Sequence, residues 1–297
     1  MKKGFLIVVA ILAAVFFLSF CSSLHLIWGQ KRGPDWSSKT IGVIEIEGVI
    51  REALPILDQI EKFREHKNLK ALVLRIDSPG GAVGASQEIY FELLKLKTER
   101  PVVVSMGNLA ASGGLYIAVA GTEIVSLPGT ITGSMGVMMP LTNISRLMDR
   151  LYIDPMPVRS GDLKDAGNPL KPMDEEARAF LQKMVDASFE QFREDVMSAR
   201  NLSDEAIDYM SDARVISGRE ALELGVVDSI GNFRDAVDRA VELAGIEKAE
   251  LAYLSRKPKG FVERLLESSA ESLWNRLSQA AWTPYYLGPS AISGAER

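Results

Sequence analysis

From Thr40 onward, short β-rich apolar runs alternate with segments of helical spacing, and this alternation leaves few architectures open. Residues 41–50 (IGVIEIEGVI) are β-rich and broken at Gly48. Residues 54–63 place Leu54, Ile56, Leu57, Ile60 and Phe63 on one helical face. Residues 71–76 (ALVLRI), 101–105 (PVVVS) and 123–126 (EIVS) are further strand-type runs, and residues 85–96 between them have helical spacing. Strands apolar on both faces need cover on both. The pattern therefore predicts an α/β domain with a mostly parallel sheet covered by helices. Further on, residues 174–197 read as a long helix whose acidic first turn suits the helix dipole. Residues 219–224 and 232–243 read as shorter helices, and residues 260–281 as an amphipathic stretch open to core packing, a membrane surface or a ring contact. Residues 284–297 read as weakly ordered.

The N-terminus differs in kind. Lys2 and Lys3 precede residues 4–29, which contain no Asp, Glu, Lys or Arg. That run is long enough for one transmembrane helix, and the two lysines favour a cytoplasmic N-terminus with the rest of the chain outside. A cleaved secretory signal is the rival, with small residues at Ser19, Cys21, Ser22 and Ser23 but no clear A-x-A site. A lipoprotein signal fits poorly, because bulky Phe20 precedes Cys21. The expected organisation is an anchor over 1–29, a polar linker over 30–39, one domain over 40–245 and an extension over 246–297.

Several chemistries are excluded early. Cys21 is the only cysteine, so neither an intrachain disulfide nor a cysteine metal site can form. A net charge of −5 and the lack of a basic stripe argue against a nucleic-acid partner. There is no phosphate-binding GxxxxGK[ST] or GxGxxG after a strand. The two histidines are His25, inside the apolar run, and His66, in a charged helix end, so a Ser-His-Asp triad is improbable. No metal or cofactor is expected.

Four segments remain. Ser112, in NLAASGGLY after a strand, opens an apolar helical run, where free N–H groups and the dipole favour the negative charge of acyl transfer. Serine is equally a common helix N-cap. Asp77-Ser78-Pro79-Gly80-Gly81 follows another buried strand, and in open parallel sheets ligands bind beyond the strands' carboxyl ends. N–H groups of Gly81 and Gly113 would then face an oxyanion, although a tight turn alone also explains the glycines. Without histidine, a serine needs a neutral amine or a carboxylate as base. Lys164, in RSGDLKDAG, is a candidate that must be buried and held neutral, against the pull of Asp162 and Asp165. Ser134, in TGSMG, is a hydroxyl suited to orient such an amine, or simply a turn serine.

In this order, DSPGG (77–81), AASGGLYIA (110–118), TGSMGV (132–137), SGDLKD (160–165) and ISGREALELGVVD (216–228), after an N-terminal span, resemble the signal peptide peptidase A family of the ClpP/crotonase fold class. The likeness covers roughly residues 40–245. It implies a Ser112/Lys164 dyad, Ser134 bonded to the lysine amine, oxyanion donors from Gly81 and Gly113, and a homo-oligomeric ring anchored in the bilayer. In short members the dyad can be completed across a protomer boundary, and this chain, with one serine motif and one lysine motif, is of the short type. SGDLKD departs from the common SGKYKD by placing Asp162 at the earlier basic position. The implied activity is a membrane serine endopeptidase acting on remnant signal peptides and other apolar extended peptides. Rivals are a related membrane protease acting on stomatin-like partners, a crotonase-type acyl-CoA enzyme and a non-catalytic membrane scaffold.

Overall fold

The computed structural model describes residues 38–254 and 285–287. The expected span over 1–29, most of the linker and the amphipathic stretch lie outside them. Among the described residues, no helix is long and apolar enough to cross a membrane.

The elements follow the alternation closely. They are β1 (Ile41–Glu47), α1 (Leu54–Glu65), β2 (Ala71–Ser78), β3 (Gly80–Ala82), α2 (Val83–Glu99), β4 (Val102–Ala110), α3 (Gly113–Ala118), β5 (Glu123–Ser126) and β6 (Ile131–Gly133). Then come α4 (Ser145–Arg150), a 3-10 turn (Asp162–Asp165), α5 (Glu175–Arg200), α6 (Asp204–Met210) and β7 (Val215–Ser217). α7 (Gly218–Glu223), β8 (Ser229–Ile230), α8 (Phe233–Ala244), β9 (Leu251–Tyr253) and β10 (Tyr285–Leu287) complete the chain. The main sheet runs β7-β6-β4-β2-β1-β9, with β5 beside β4 and β8 beside β5. Every pairing in it is parallel except β6 with β7. The expected α/β architecture with a mostly parallel sheet is therefore present.

Alternation along each strand divides the core. Ala71, Val73, Val103 and Val125 face α8, which buries Ala236, Val237 and Ala240 against them. Residues of the opposite parity, Leu72, Leu74 and Val104, are also fully buried. α1, α2 and α3 contribute Phe63, Leu93, Leu96 and Leu115 to the buried interior. Burying a side chain of this size contributes about 1.5–3 kcal/mol, so the strands that carry the site are well held.

Local signals explain the helix ends. Asp174 caps α5 by accepting the Ala177 N–H at 2.8 Å. Asn232 and Asp235 form a capping box on α8, which stops at Gly245 in the left-handed region. Two features depart from the sequence reading. A strand at Leu251–Tyr253 pairs with β1, beyond the last expected helix. Within the tail read as weakly ordered, Tyr285–Leu287 pairs antiparallel with β3.

Candidate active site

β4 ends at Ala110 and α3 begins at Gly113, so Ser112 sits at the bend from strand to helix. Its backbone lies at φ 54°, ψ −117°, a conformation residues with side chains rarely adopt. Holding it there costs on the order of 1–3 kcal/mol. Ser112 stands at the N-cap position, yet its side chain caps nothing. Its Oγ is buried and has no hydrogen-bond partner among the described residues. The usual structural reason for a serine at a helix start therefore fails here. A strained backbone and an unpaired buried hydroxyl coincide on one residue, the signature of a position kept for chemistry.

The neighbours hold the bend from three sides. The Ser112 N–H donates to Gly133 O at 2.8 Å, the Ala111 N–H donates to Ser78 O at 3.1 Å, and the Tyr116 N–H donates to Ser112 O at 2.9 Å. The DSPGG and TGSMG segments thus bond directly to the serine segment. β3 also packs against α3. Ser134 follows Gly133, is buried, and has φ 54° like Ser112; its N–H donates to Arg214 O at 2.6 Å.

Gly81 occupies a close crossing. A Cβ there would lie 1.9 Å from the Ile50 carbonyl oxygen. Ile50 accepts from Ala82 N–H at 2.7 Å and donates to Gly80 O at 2.9 Å. Because successive peptide groups of a strand point to opposite sides, the Gly81 N–H points away from Ile50. On that side β3 pairs with Tyr285–Leu287. The Gly113 N–H is the first of its helix and has no carbonyl one turn earlier to meet.

Lys164 is placed differently. It lies in the 3-10 turn, on the surface, with its side chain exposed. No ion pair or hydrogen bond of its amine is found among the described residues. Asp165, which threatened to hold it charged, is engaged elsewhere. It accepts from Arg159 at 2.7 Å and from Lys171 at 3.0 Å. Lys171, then Arg159, hold its carboxyl below the ordinary aspartate range. The burial that a basic amine requires is not met within one chain, because the segment carrying Lys164 follows the surface instead of entering the sheet. One chain brings together Ser112, Ser134, Gly81 and Gly113 and leaves Lys164 apart.

Other residues, not singled out from the sequence, support the site. The Asp77 carboxylate accepts the Leu109 N–H at 3.2 Å and the Asn108 side-chain amide at 2.9 Å. It ties β2 to β4 where their register shifts. Thr132 donates to Ala110 O at 2.6 Å. On the far side of α3, the buried Tyr116 donates to the Asp195 carboxylate of α5, and its ring meets Phe192 edge-on with centroids 4.9 Å apart. Tyr90 joins the cluster, and burial followed by Asp195 pushes its hydroxyl up to about 12. Asp77, Asn108, Leu109, Tyr116 and Thr132 sit in motifs quoted from the sequence, whereas Tyr90, Phe192 and Asp195 lie on helices outside them.

A serine at a helix start that caps nothing calls for a chemical explanation, and the class so defined is an α/β serine hydrolase. Residues 95–247 match peptidase family S49. A Synechocystis sp. protein named as a protease is 39% identical over 275 residues, spanning 89% of this chain and 97% of the relative. Protease 4 of Salmonella typhi is 34% identical over 223 residues, 75% of this chain but 36% of its own length. The chloroplastic serine protease SPPA of Arabidopsis thaliana is 31% identical over 226 residues, 74% of this chain and 33% of its own. The chain thus spans about a third of each of the latter two. A solved membrane-bound stomatin-specific protease mutant covers 74% of the chain at 18% identity with a TM-score of 0.47, a likeness too distant to add to the assignment. The chain belongs to peptidase family S49 and is a serine protease of that family.

Proposed function

We propose that this protease is an endopeptidase of membrane-proximal, apolar, extended peptides, signal-peptide remnants among them, with Ser112 as nucleophile and Lys164 as base. The observation that carries the reading is Ser112 itself, strained, buried and without a hydrogen-bond partner. The Ser112 Oγ attacks the scissile carbonyl while the neutral Lys164 amine takes its proton. Gly81 and Gly113 N–H groups stabilise the oxyanion. Lys164 then returns the proton to the leaving amine, and a water deprotonated by the same amine hydrolyses the acyl-enzyme. Ser134 orients the lysine amine.

In this reading Lys164 meets the Ser112 of a neighbouring copy in a ring, where burial makes the neutral amine favourable. The surface around it supports that arrangement. Tyr152 and Met156, in the same segment, are 97% and 85% exposed. Exposed apolar side chains of this size, with Val158 beside them, are the kind that a second copy covers. An anchor over residues 1–29, with the N-terminus cytoplasmic and the protease outside, keeps the ring beside its substrates.

The test uses the full chain in detergent or vesicles with a fluorogenic apolar peptide and a fluorophosphonate probe. Turnover is expected, with the probe on Ser112, and Ser112→Ala is expected to lose both. Probe incorporation elsewhere, or undiminished turnover by Ser112→Ala, would remove the assignment.

A further inference from the structure

Two helices leave the serine half, and a tyrosine from each converges on one residue. α2 begins at Val83, directly after Gly80–Ala82, and α3 begins at Gly113, directly after Ser112. Tyr90 lies about two turns into α2. Tyr116 lies one turn into α3, and its N–H donates to Ser112 O at 2.9 Å. The two rings meet with centroids 4.7 Å apart, and both hydroxyls end on Asp195 of α5. Tyr116 donates to the Asp195 carboxylate, and Tyr90 donates to the Asp195 backbone carbonyl at 3.4 Å. Gln191, one turn earlier on α5, donates to the same carboxylate oxygen at 3.1 Å. Tyr116 is fully buried and Asp195 is half-buried. A phenylalanine against an apolar residue would fill this space without a charge to desolvate. The hydroxyl–carboxylate bond adds direction, fixing a distance and an angle where apolar contact lets surfaces slide. Direction matters here because α3 has six residues, and a helix so short is held by its tertiary contacts.

We infer that Asp195 is a positioning residue for the proposed reaction: by gathering the hydroxyls of Tyr116 and Tyr90 it fixes α3 against α2, and with them the Ser112 hydroxyl against the Gly81 N–H. This rests on the reading of Ser112 and Gly81 as the catalytic centre. A small rotation of α3 about its axis would swing Ser112 while leaving the sheet beneath it in place. Misplacing a reacting group by about 1 Å costs up to about a hundredfold in rate. Such an error is felt in the transition state more than in peptide binding, so it lowers kcat and spares KM.

The test uses the full chain in detergent with the fluorogenic peptide and the fluorophosphonate probe. Tyr116→Phe keeps the ring and removes the hydroxyl. It is expected to slow both kcat and probe labelling of Ser112 by about tenfold or more, with KM unchanged. Asp195→Leu should do the same, and Asp195→Asn, which keeps an acceptor oxygen, should recover most of that loss. The double variant Tyr116→Phe/Asp195→Leu should be no slower than the slower of its two parents, because both changes remove the same tie. Rates are referred to the fraction of chains that the probe finally labels, so partial unfolding does not count as slowness. In the Ser112→Ala background a labelled apolar peptide should bind equally well with and without Tyr116→Phe. A lower urea midpoint with kcat and labelling rate intact would reduce Asp195 to a stabilising residue and overturn the inference, as would a loss carried by KM. Failure of the unaltered chain to turn over the peptide or to label at Ser112 counts instead against the catalytic reading.

Discussion

The two halves of the site are built in opposite ways. The serine half is made by β2, β3, β4, β6 and α3, and its backbone is hydrogen-bonded on three sides. The lysine half lies in a surface segment whose only regular structure near Lys164 is a 3-10 turn, held by the ties from Arg159 and Lys171 to Asp165. A strained φ and an unpaired hydroxyl need a surround that over-determines them, and a fully buried parallel sheet supplies one. A base that becomes neutral only when covered needs no such frame in the isolated chain. In the arrangement proposed above it needs a partner surface. Under the proposed mechanism, the fold invests its rigidity in the nucleophile and leaves completion of the centre to assembly.

The largest expected effect breaks or secures this division. Ser112→Ala and Lys164→Ala should each lower peptide turnover by roughly a thousandfold or more. If the halves come from different copies, co-expressing the two variants in equal amounts should restore about a quarter of the normal activity, since that fraction of random subunit contacts pairs an intact serine with an intact lysine. Turnover is measured on the purified mixed assembly. A mixture as inactive as its components would show that both halves act within one chain.

A second prediction separates the halves by stability. Gly81→Ala forces a Cβ into the Ile50 carbonyl. It should cost about 1–3 kcal/mol, read as a lower urea midpoint. Activity should fall by roughly a hundredfold or more as the oxyanion donor shifts. Lys164→Ala, on an exposed side chain, should leave the midpoint where it was. Equal destabilisation by the two changes would erase the distinction between a rigid and an adaptable half.

What could be read in advance follows the same line. β1, β2, β4 and β5 were legible because each is a run of β-branched or aliphatic residues apolar on both faces. α5 was legible from Asp174 and the acids after it. β4 continues past Ser105 to Ala110 because Asp77, from another strand, ties Asn108 and Leu109 into place, and no local pattern announces that. Ser112 was visible from its glycine neighbours and its place after a strand, but its failure to cap appears only in three dimensions. The Tyr116–Asp195 pair spans 79 positions, and β3 and β6–β10 are each too short to show a period. The exposure of Lys164 was not legible, since SGDLKD reads the same whether the turn is covered or open.

The smallest expected effect concerns Asp165. The Lys171 and Arg159 ties hold its carboxyl below the ordinary range. With a depressed value, the ties are fully made above the ordinary carboxylate range and are lost only as pH falls through the lowered one. At neutral pH Asp165 is therefore charged, and Asp165→Asn removes both ties while keeping the side chain's shape. Because these ties lie in a surface segment, with the Arg159 side chain a third exposed, they contribute little to folding, and the melting temperature should hardly move. The turn that presents Lys164 should loosen, lowering kcat a few-fold with KM unchanged, as measured with the fluorogenic peptide at low salt. High salt should shrink the difference from the unaltered chain by screening the same ties. A fall in melting temperature comparable to that of Gly81→Ala would mean that the lysine segment is part of the folded frame and not a surface arm awaiting its partner.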